Sequence, residues 1–351
     1  MAEGVVRWGV LGVAGINEAF LPGLSRASNG RLHAIASRRP DAAAAAQTRW
    51  GASCSYDTYE GLLADDQVDA VYVPVPNSLH VEWTAQALRA GKHVLCEKPL
   101  AMSAEEVEEL RGVAEQAGRW VMEAFMYRFA PRWQRARQLI ADGAIGDPRV
   151  VRVGFAFKQF PEDYNIRFDP SVGGGIVWDM GCYATHMARD LFGSEPETTV
   201  ALGHARPGEQ VETSVEAILR FPGDRSAVAH VSFDYPNPHS QVEVVGTDGW
   251  ISLPGTGMRD EPFTRLLRHR FGDELYVSGV EPVVEEFPYA DPYQLEIEHF
   301  GASVLTGTPP RYGWDDAMGN VIALEAMVRS LRAGQVVQVR SAQDSRGEIR
   351  A

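Results

Sequence analysis

The chain has 351 residues, which at roughly 100–200 per domain suggests two domains. Apolar residues make up 45% and charged residues 23%, a globular composition far from that of a disordered chain. A formal net charge of −14 disfavours nucleic acid and anionic membrane as partners, but not a small anion gripped by a few arginines.

No run of about 18 consecutive apolar residues occurs, so no membrane-spanning helix is expected. Met1-Ala2-Glu3-Gly4 carries no basic and apolar leader pattern, so no secretory signal is expected either. Cys54, Cys96 and Cys182 are far apart and form no C-x-x-C pair. That argues against a disulfide framework or a cysteine-rich zinc site and fits free thiols in the cytoplasm.

Over the first 125 residues, short β-rich runs alternate with helical patterns. The runs are Val5–Leu11, Leu32–Ser37, Ala70–Val73, His93–Cys96 and Trp120–Glu123. Between them lie the helical stretches Asp41–Trp50, Thr58–Ala64, His80–Ala90 and Ser103–Ala117. Ser103 and Glu106 form a capping-box pattern, and Gly91 and Gly118 follow the last helical turns. Strands alternating with helices predict βαβ units and a parallel sheet.

After about residue 128 the texture changes. Val150–Phe157, Val211–Phe221, Ala227–Tyr235, Gln241–Val245 and Leu275–Val280 read as longer strands, several alternating apolar with polar residues. Turns such as Pro222-Gly223-Asp224 and Thr247-Asp248-Gly249 join them, the mark of a largely antiparallel sheet with one face open. Helices are expected over Gly175–Phe192, Asp291–Thr306 and Asp315–Ala333. The expected architecture is an α/β Rossmann dinucleotide-binding domain over 1–125 and an α+β domain over 126–351 with a mixed, largely antiparallel open sheet.

The turn after the first strand reads Gly9-Val10-Leu11-Gly12-Val13-Ala14-Gly15-Ile16-Asn17. A strand, a tight glycine turn and a helix start present backbone N–H groups to a pyrophosphate. From Gly12 the pattern is G-x-A-x-x-N, with Ala14 and Asn17 where the dinucleotide fingerprint has glycines. The second strand ends Ser37-Arg38-Arg39-Pro40 with no acid to accept from a ribose 2′-hydroxyl. A hydroxyl and two guanidiniums suit a 2′-phosphate, hence NADP with NAD also possible; solvated arginines ahead of a helix are the plainer alternative.

Val68–His80 and Gly91–Leu100, with the Glu97-Lys98-Pro99 triplet, resemble the Gfo/Idh/MocA family of glucose-fructose oxidoreductases and inositol dehydrogenases. The likeness extends through Met126–Phe129, Gly173-Gly174-Gly175, Trp178–Tyr183 and the Asp315–Leu331 helix. Tyr183, where many members carry His, resembles the xylose dehydrogenase and dimeric dihydrodiol dehydrogenase branch. Asn17 departs from the Gly or Ala usual there.

The resemblance implies hydride transfer between a nicotinamide and a sugar or polyol, with Lys98, Tyr183 and Asp179 catalytic. It implies a cofactor set of Gly12, Ala14, Gly15, Ile16, Ser37, Arg38, Arg39, Pro74, Asn77, His80, Glu97 and Lys98. Arg167, Asp169, Asp179 and Tyr183 are the implied substrate residues. The chemistry is coherent in itself: an ammonium polarises a carbonyl and lowers a neighbouring phenol's pKa, while a phenol moves the proton. Asp179 and Tyr183, four apart in an expected helix, share a face. His186 reads as a packed structural histidine and stays outside the catalytic set. The bland alternatives are a solvated turn at Lys98, a core aromatic at Tyr183, and helix capping by Asn77 or Ser78 beside an exposed His80.

Competing functions are a nucleotide-sugar ketoreductase of a deoxysugar pathway, a trans-dihydrodiol dehydrogenase and a nicotinamide-dependent glycosidase. A non-enzymatic sensor of the same fold is disfavoured by the presence of Lys98 and Tyr183. No spacing marks a metal site; Glu296-Ile297-Glu298-His299 reads as the solvated side of a helix with a buried stripe. The open sheet face predicts a homodimer, or a homotetramer built from it.

Overall fold

Val6–Leu11 (β1) buries nearly every side chain, as expected of a strand covered on both faces rather than one alternating between core and water. It opens the computed structural model, which describes residues 4–160, 164–237, 240–255, 263–272 and 281–341. The chain continues through Asn17–Arg26 (α1), Gly30–Ala36 (β2), Pro40–Trp50 (α2), Cys54–Tyr56 (β3), Tyr59–Leu63 (α3) and Ala70–Val73 (β4). His80–Arg89 (α4), His93–Glu97 (β5), Ala104–Ala117 (α5) and Val121–Ala124 (β6) complete the series. The six strands lie parallel in the order β3-β2-β1-β4-β5-β6. The order reverses between β1 and β4, the crevice where doubly wound sheets hold ligands. Local signals agree with this arrangement. The Ser103 hydroxyl accepts from Glu106 N–H at 3.2 Å while Glu106 accepts from Met102 N–H at 2.8 Å, and Gly118 closes α5 at φ +62°.

A second, nine-stranded sheet is built from Pro148–Ala156 (β7), Thr198–His204 (β8), Ser214–Phe221 (β9), Arg225–Ser232 (β10), Gln241–Gly246 (β11), Gly249–Pro254 (β12), Phe263–Arg270 (β13) and Val283–Pro288 (β14), with the two-residue Val337–Gln338 (β15) at its edge. Its order is β14-β13-β12-β11-β7-β10-β9-β8-β15, and β7 with β10 is its one parallel pair among the described residues. The helices are Pro131–Ala141 (α6) and Cys182–Phe192 (α7), the latter entered through a π turn over Val177–Gly181. In β9, Val215, Ala217, Leu219 and Phe221 are buried while Glu216, Ile218 and Arg220 are exposed. The buried row lies on the face that α7 covers through β7 and β10, with Ala184, Met187, Ala188 and Leu191 buried in that helix. The other face stays open: Ile218 pairs across from Val228, both exposed, and Leu202 is 64% exposed.

Pro292–Thr306 (α8) and Trp314–Ala333 (α9) follow. The chain forms two units: residues 4–126 with 291–321, and 127–290 with 322–341. The chain thus returns to the first unit after residue 290, because α8 packs on α1, and it leaves again within α9. The expected strand Leu275–Val280 lies outside the described residues. Among the described residues, no helix is long and apolar enough to cross a membrane.

Candidate active site

In the first unit, β1 runs straight into a turn that only glycine enters without strain: Gly12 has φ +126°. Its N–H donates to Ala36 carbonyl at 2.9 Å, tying the turn to the end of β2. The buried Asn17 amide donates to Gly12 carbonyl at 2.9 Å, so the residue that departs from the glycine fingerprint braces the turn from inside. Ala14 and Ile16 are half-buried and Gly15 is exposed, with nothing within 4 Å of where a Cβ would stand. The N–H groups of Asn17, Glu18 and Ala19 already donate to Ala14, Gly15 and Ile16 carbonyls at 3.1, 3.2 and 2.9 Å, so the open backbone that fits a diphosphate is that of the turn leading into α1.

At the tip of β2, Ser37 is buried and its hydroxyl accepts from Arg39 N–H at 3.1 Å. Arg38 and Arg39 are exposed, and the Arg38 guanidinium stands over the Tyr59 ring at 5.8 Å. Tyr59 is a platform that the sequence reading did not single out, because an aromatic at the start of a short helix reads as core. No carboxylate occupies residues 37–39, so the donors suit a ribose 2′-phosphate.

Beyond β4, Pro74 is buried, Asn77 opens a single 3₁₀ turn over Asn77–Leu79, and His80 starts α4. His80 is not the exposed residue of the bland alternative: it is buried, with Nδ1 2.7 Å from Pro99 carbonyl and Nε2 2.9 Å from Val75 carbonyl. Burial lowers its pKa to about 4 despite those two carbonyls, and the Lys98 charge pushes the same way. His80 therefore joins the loop after β4 to the loop after β5. The Lys98–Pro99 bond is cis, and Lys98 is half-buried one residue past β5. Glu97 accepts from the Tyr72 hydroxyl on one oxygen and from Lys98 N–H at 3.3 Å on the other. Tyr72, itself stacked on Phe20, is buried, and burial holds its phenol well above the ordinary value. The sequence reading passed over it as a strand aromatic.

In the second unit, Gly173-Gly174-Gly175 is required by space as well as by angle. A Cβ on Gly174 would lie 2.7 Å from Asp169 carbonyl, and one on Gly175 (φ +113°) 2.5 Å from Glu212 Oε1. The bend delivers the chain to the π turn that holds Asp179, a geometry frequent at functional sites. Arg167 Nε donates to Asp179 Oδ2 at 2.8 Å, bringing together two of the expected substrate residues. Asp169 is differently occupied: its carboxylate accepts from Ser171 hydroxyl at 2.6 Å, from Tyr164 hydroxyl at 2.8 Å and from Ser171 N–H at 2.9 Å, which hold its pKa down. Glu212, passed over as part of the expected strand Val211–Phe221, precedes β9 and accepts from Val177 N–H at 3.2 Å, and burial raises its carboxyl pKa.

Tyr183 is buried in the first turn of α7, its ring 6.0 Å from that of Tyr127. His186 is buried between the Tyr127 hydroxyl and Arg128, whose Nη1 lies 3.1 Å away, a packed histidine as the sequence suggested. One expectation fails outright. Glu296 is on no solvated side: it is buried, because 293, 296, 297 and 300 form a single stripe along α8.

The sheet order, the glycine turn at β1 and the arginines at β2 define a dinucleotide-binding Rossmann domain joined to a second, largely antiparallel unit. Residues 6–125 match the model of the oxidoreductase family with an NAD-binding Rossmann fold, and residues 133–252 match the GFO/IDH/MocA C-terminal domain. The chain belongs to the GFO/IDH/MocA family of oxidoreductases. It is 35% identical to D-xylose 1-dehydrogenase (NADP(+)) 2 of Haloferax volcanii, over 95% of this chain and 99% of that one. It is 31% identical to 1,5-anhydro-D-fructose reductase of Ensifer adhaerens, over 95% and 98%. Among solved structures it resembles a 3-ketoreductase of Actinomadura kijaniata in complex with NADP and TDP-benzene. That match has a TM-score of 0.85 at 29% identity and covers 93% of this chain and 98% of the other.

Proposed function

We propose that this protein is an NADP-dependent oxidoreductase that interconverts a carbinol and a carbonyl on a sugar or polyol. One observation carries the reading: Gly12, Ser37, Arg38, Arg39, Pro74, Glu97 and Lys98 lie at or just beyond the C-terminal ends of β1, β2, β4 and β5. His80, expected in the same set, is buried at the start of α4 against two carbonyls and braces those loops instead. Gly12, Ala14, Gly15 and Ile16 would hold the diphosphate, Ser37, Arg38 and Arg39 the 2′-phosphate, and Pro74, Asn77, Glu97 and Lys98 the nicotinamide end. The bound nicotinamide supplies or accepts the hydride.

The chain's own groups manage charge and protons. Lys98 stabilises the oxyanion on the reacting carbon's oxygen, and the Tyr183 phenol gives or takes that oxygen's proton. Asp179, oriented by Arg167, accepts hydrogen bonds from sugar hydroxyls. The sugar enzymes among the relatives support the substrate class, and the NADP-linked xylose dehydrogenase supports the cofactor. The likeness to a ketoreductase crystallised with TDP-benzene supports a second reading, a nucleotide-sugar ketoreductase. A second copy covering the Leu202, Ile218 and Val228 face would give a homodimer or homotetramer, which light scattering measures directly. Three free cysteines fit a reducing cytoplasm.

The test is turnover of the full chain with NADP+ and NADPH against aldoses, inositols, keto-sugars and nucleotide-linked keto-sugars. Turnover with one class, and its loss by orders of magnitude in Lys98→Ala with NADP(H) affinity kept, supports the proposal. Absence of nicotinamide-linked turnover across the panel, or full activity in Lys98→Ala, overturns it.

A further inference from the structure

Three potential metal-binding side chains that lie far apart in sequence converge at the edge of the parallel sheet. His33 stands on β2, Cys54 opens the edge strand β3, and Asp65 lies in the loop between α3 and β4. His33 Nε2 is 3.0 Å from Asp65 Oδ2, Cys54 Sγ is 3.8 Å from His33 Nε2, and Cys54 Sγ is 3.9 Å from Asp65 Oδ2. A tetrahedral zinc ion with the usual bond lengths, about 2.0–2.1 Å to nitrogen or oxygen and about 2.3 Å to sulfur, separates its ligands by roughly 3.3–3.6 Å. The three observed edges depart from that by a few tenths of an ångström.

A nucleophilic relay is a poor account of the same trio. In such a relay the histidine uses one ring nitrogen for the nucleophile and the opposite one for the carboxylate. Here the same nitrogen, Nε2, faces both Cys54 and Asp65. Three donor atoms of different chemistry pointing at one another is instead the arrangement a single ion bridges.

The surroundings supply the orientation that metal ligands need. Asp65 Oδ1 accepts from Gln67 N–H at 2.8 Å, Oδ2 accepts from Tyr56 hydroxyl at 2.9 Å, and Lys92 Nζ donates to Asp65 carbonyl at 2.7 Å. The lysine thus grips the backbone of the loop and leaves the carboxylate to the cluster. The His33 and Asp65 side chains keep 15% and 12% of their exposure, so an ion can enter from solvent.

We propose that His33 Nε2, Cys54 Sγ and Asp65 Oδ2 bind one borderline divalent ion of the zinc class, with water or the Tyr56 hydroxyl at the fourth position. On binding, the thiol proton leaves to solvent as the sulfur–metal bond forms, and any imidazole proton on Nε2 moves to Nδ1. The ion ties the edge strand to its neighbour and to the loop before β4. Because Ser37 N–H donates to Tyr56 carbonyl at 3.1 Å, the same clamp braces the tip of β2.

The test uses full-length, chelator-treated protein titrated with Co2+ as a spectroscopic probe, followed by Zn2+. Saturation at one equivalent, with a thiolate-to-cobalt charge-transfer band that Zn2+ removes, is the expected result. Cys54→Ser loses the band, and Asp65→Asn weakens binding at least tenfold while circular dichroism stays unchanged. No saturable binding by the folded wild-type protein overturns the proposal and leaves a hydrogen-bonded cluster. A band that survives in Cys54→Ser overturns it too, since the thiolate would then be Cys96 or Cys182.

Discussion

The two units of this chain build their functional surfaces from different parts. In the first, the expected dinucleotide site is framed mainly by strand ends and turns, the positive-φ Gly12, the open backbone at Gly15 and the loops after β4 and β5 that His80 joins, with Arg38 and Lys98 as its expected charged side chains. In the second, the expected substrate surface is made of side chains, with Arg167 clamped on Asp179 over a glycine bend and Tyr183 at the head of α7. A backbone site can be held constant by a parallel sheet whose strand tips are rigid. A side-chain site can change its substrate by substitution without altering the fold. This division gives each unit its own signature under mutation.

The largest effects fall on the expected proton and oxyanion groups, Tyr183 in the second unit and Lys98 in the first. Tyr183→Phe removes a proton-transferring hydroxyl and lowers kcat by roughly 10²–10⁴-fold, with NADP(H) affinity nearly constant in a fluorescence titration. Near-full turnover in this variant would mean that the proton travels by another group, and the division of labour would fail at its chemical step.

The next effect is on stability and belongs to the first unit. His80 is held neutral by burial, its pKa lowered from 6.5 to about 4, so between those values the unfolded chain binds a proton that the folded chain refuses. Stability is therefore fully present above pH 6.5 and falls as the pH drops towards 4. A shift of this size corresponds to on the order of 3 kcal/mol. His93, which burial also lowers to about 4, adds to the loss. Urea midpoints at neutral and acid pH measure the slope. His80→Gln keeps a donor without the titration and should flatten it, and an unchanged slope would show that His80 is not the group responsible.

Cofactor choice comes third. Arg38→Ala removes the exposed guanidinium above Tyr59 and should shrink the preference for NADP over NAD by roughly 10–100-fold, as expected for a lost charge-assisted phosphate contact. The KM for the sugar should stay where it was. A matched loss in both cofactors would place Arg38 in general binding rather than 2′-phosphate selection.

The same contrast governs what could be read from sequence. Parallel strands covered on both faces are continuous apolar runs, and most of the first unit's strands and helices were legible within a few residues. Cys54–Tyr56 escaped because three polar or aromatic residues carry no period. In the second unit α6, β8, β12 through β14 and the two-residue β15 were missed: β13 and β14 mix arginine and glutamate with apolar residues on a half-covered edge, so alternation is diluted. Contacts over long sequence separations were also out of reach. Glu296 sits in a helix whose periodicity places it on the buried stripe, yet its charge argued for solvent. His80 was expected at the cofactor or, in the plainer alternative, in solvent, because nothing local reveals that Val75 and Pro99 carbonyls close around it.

The smallest expected effect tests how far the backbone site depends on one side chain. Asn17 stands where the dinucleotide fingerprint prefers glycine, and its amide donates to Gly12 carbonyl inside the turn. Asn17→Ala removes that bond and leaves a buried carbonyl unpaired, a loss of about 1 kcal/mol that the better helix propensity of alanine offsets by a few tenths. The glycine turn keeps its other tether, Gly12 N–H to Ala36 carbonyl, so its shape should survive. NADP(H) affinity should then fall only a few-fold in isothermal titration, with turnover unchanged at saturating cofactor. A hundredfold loss would mean that the turn is held by Asn17 rather than by the strand ends.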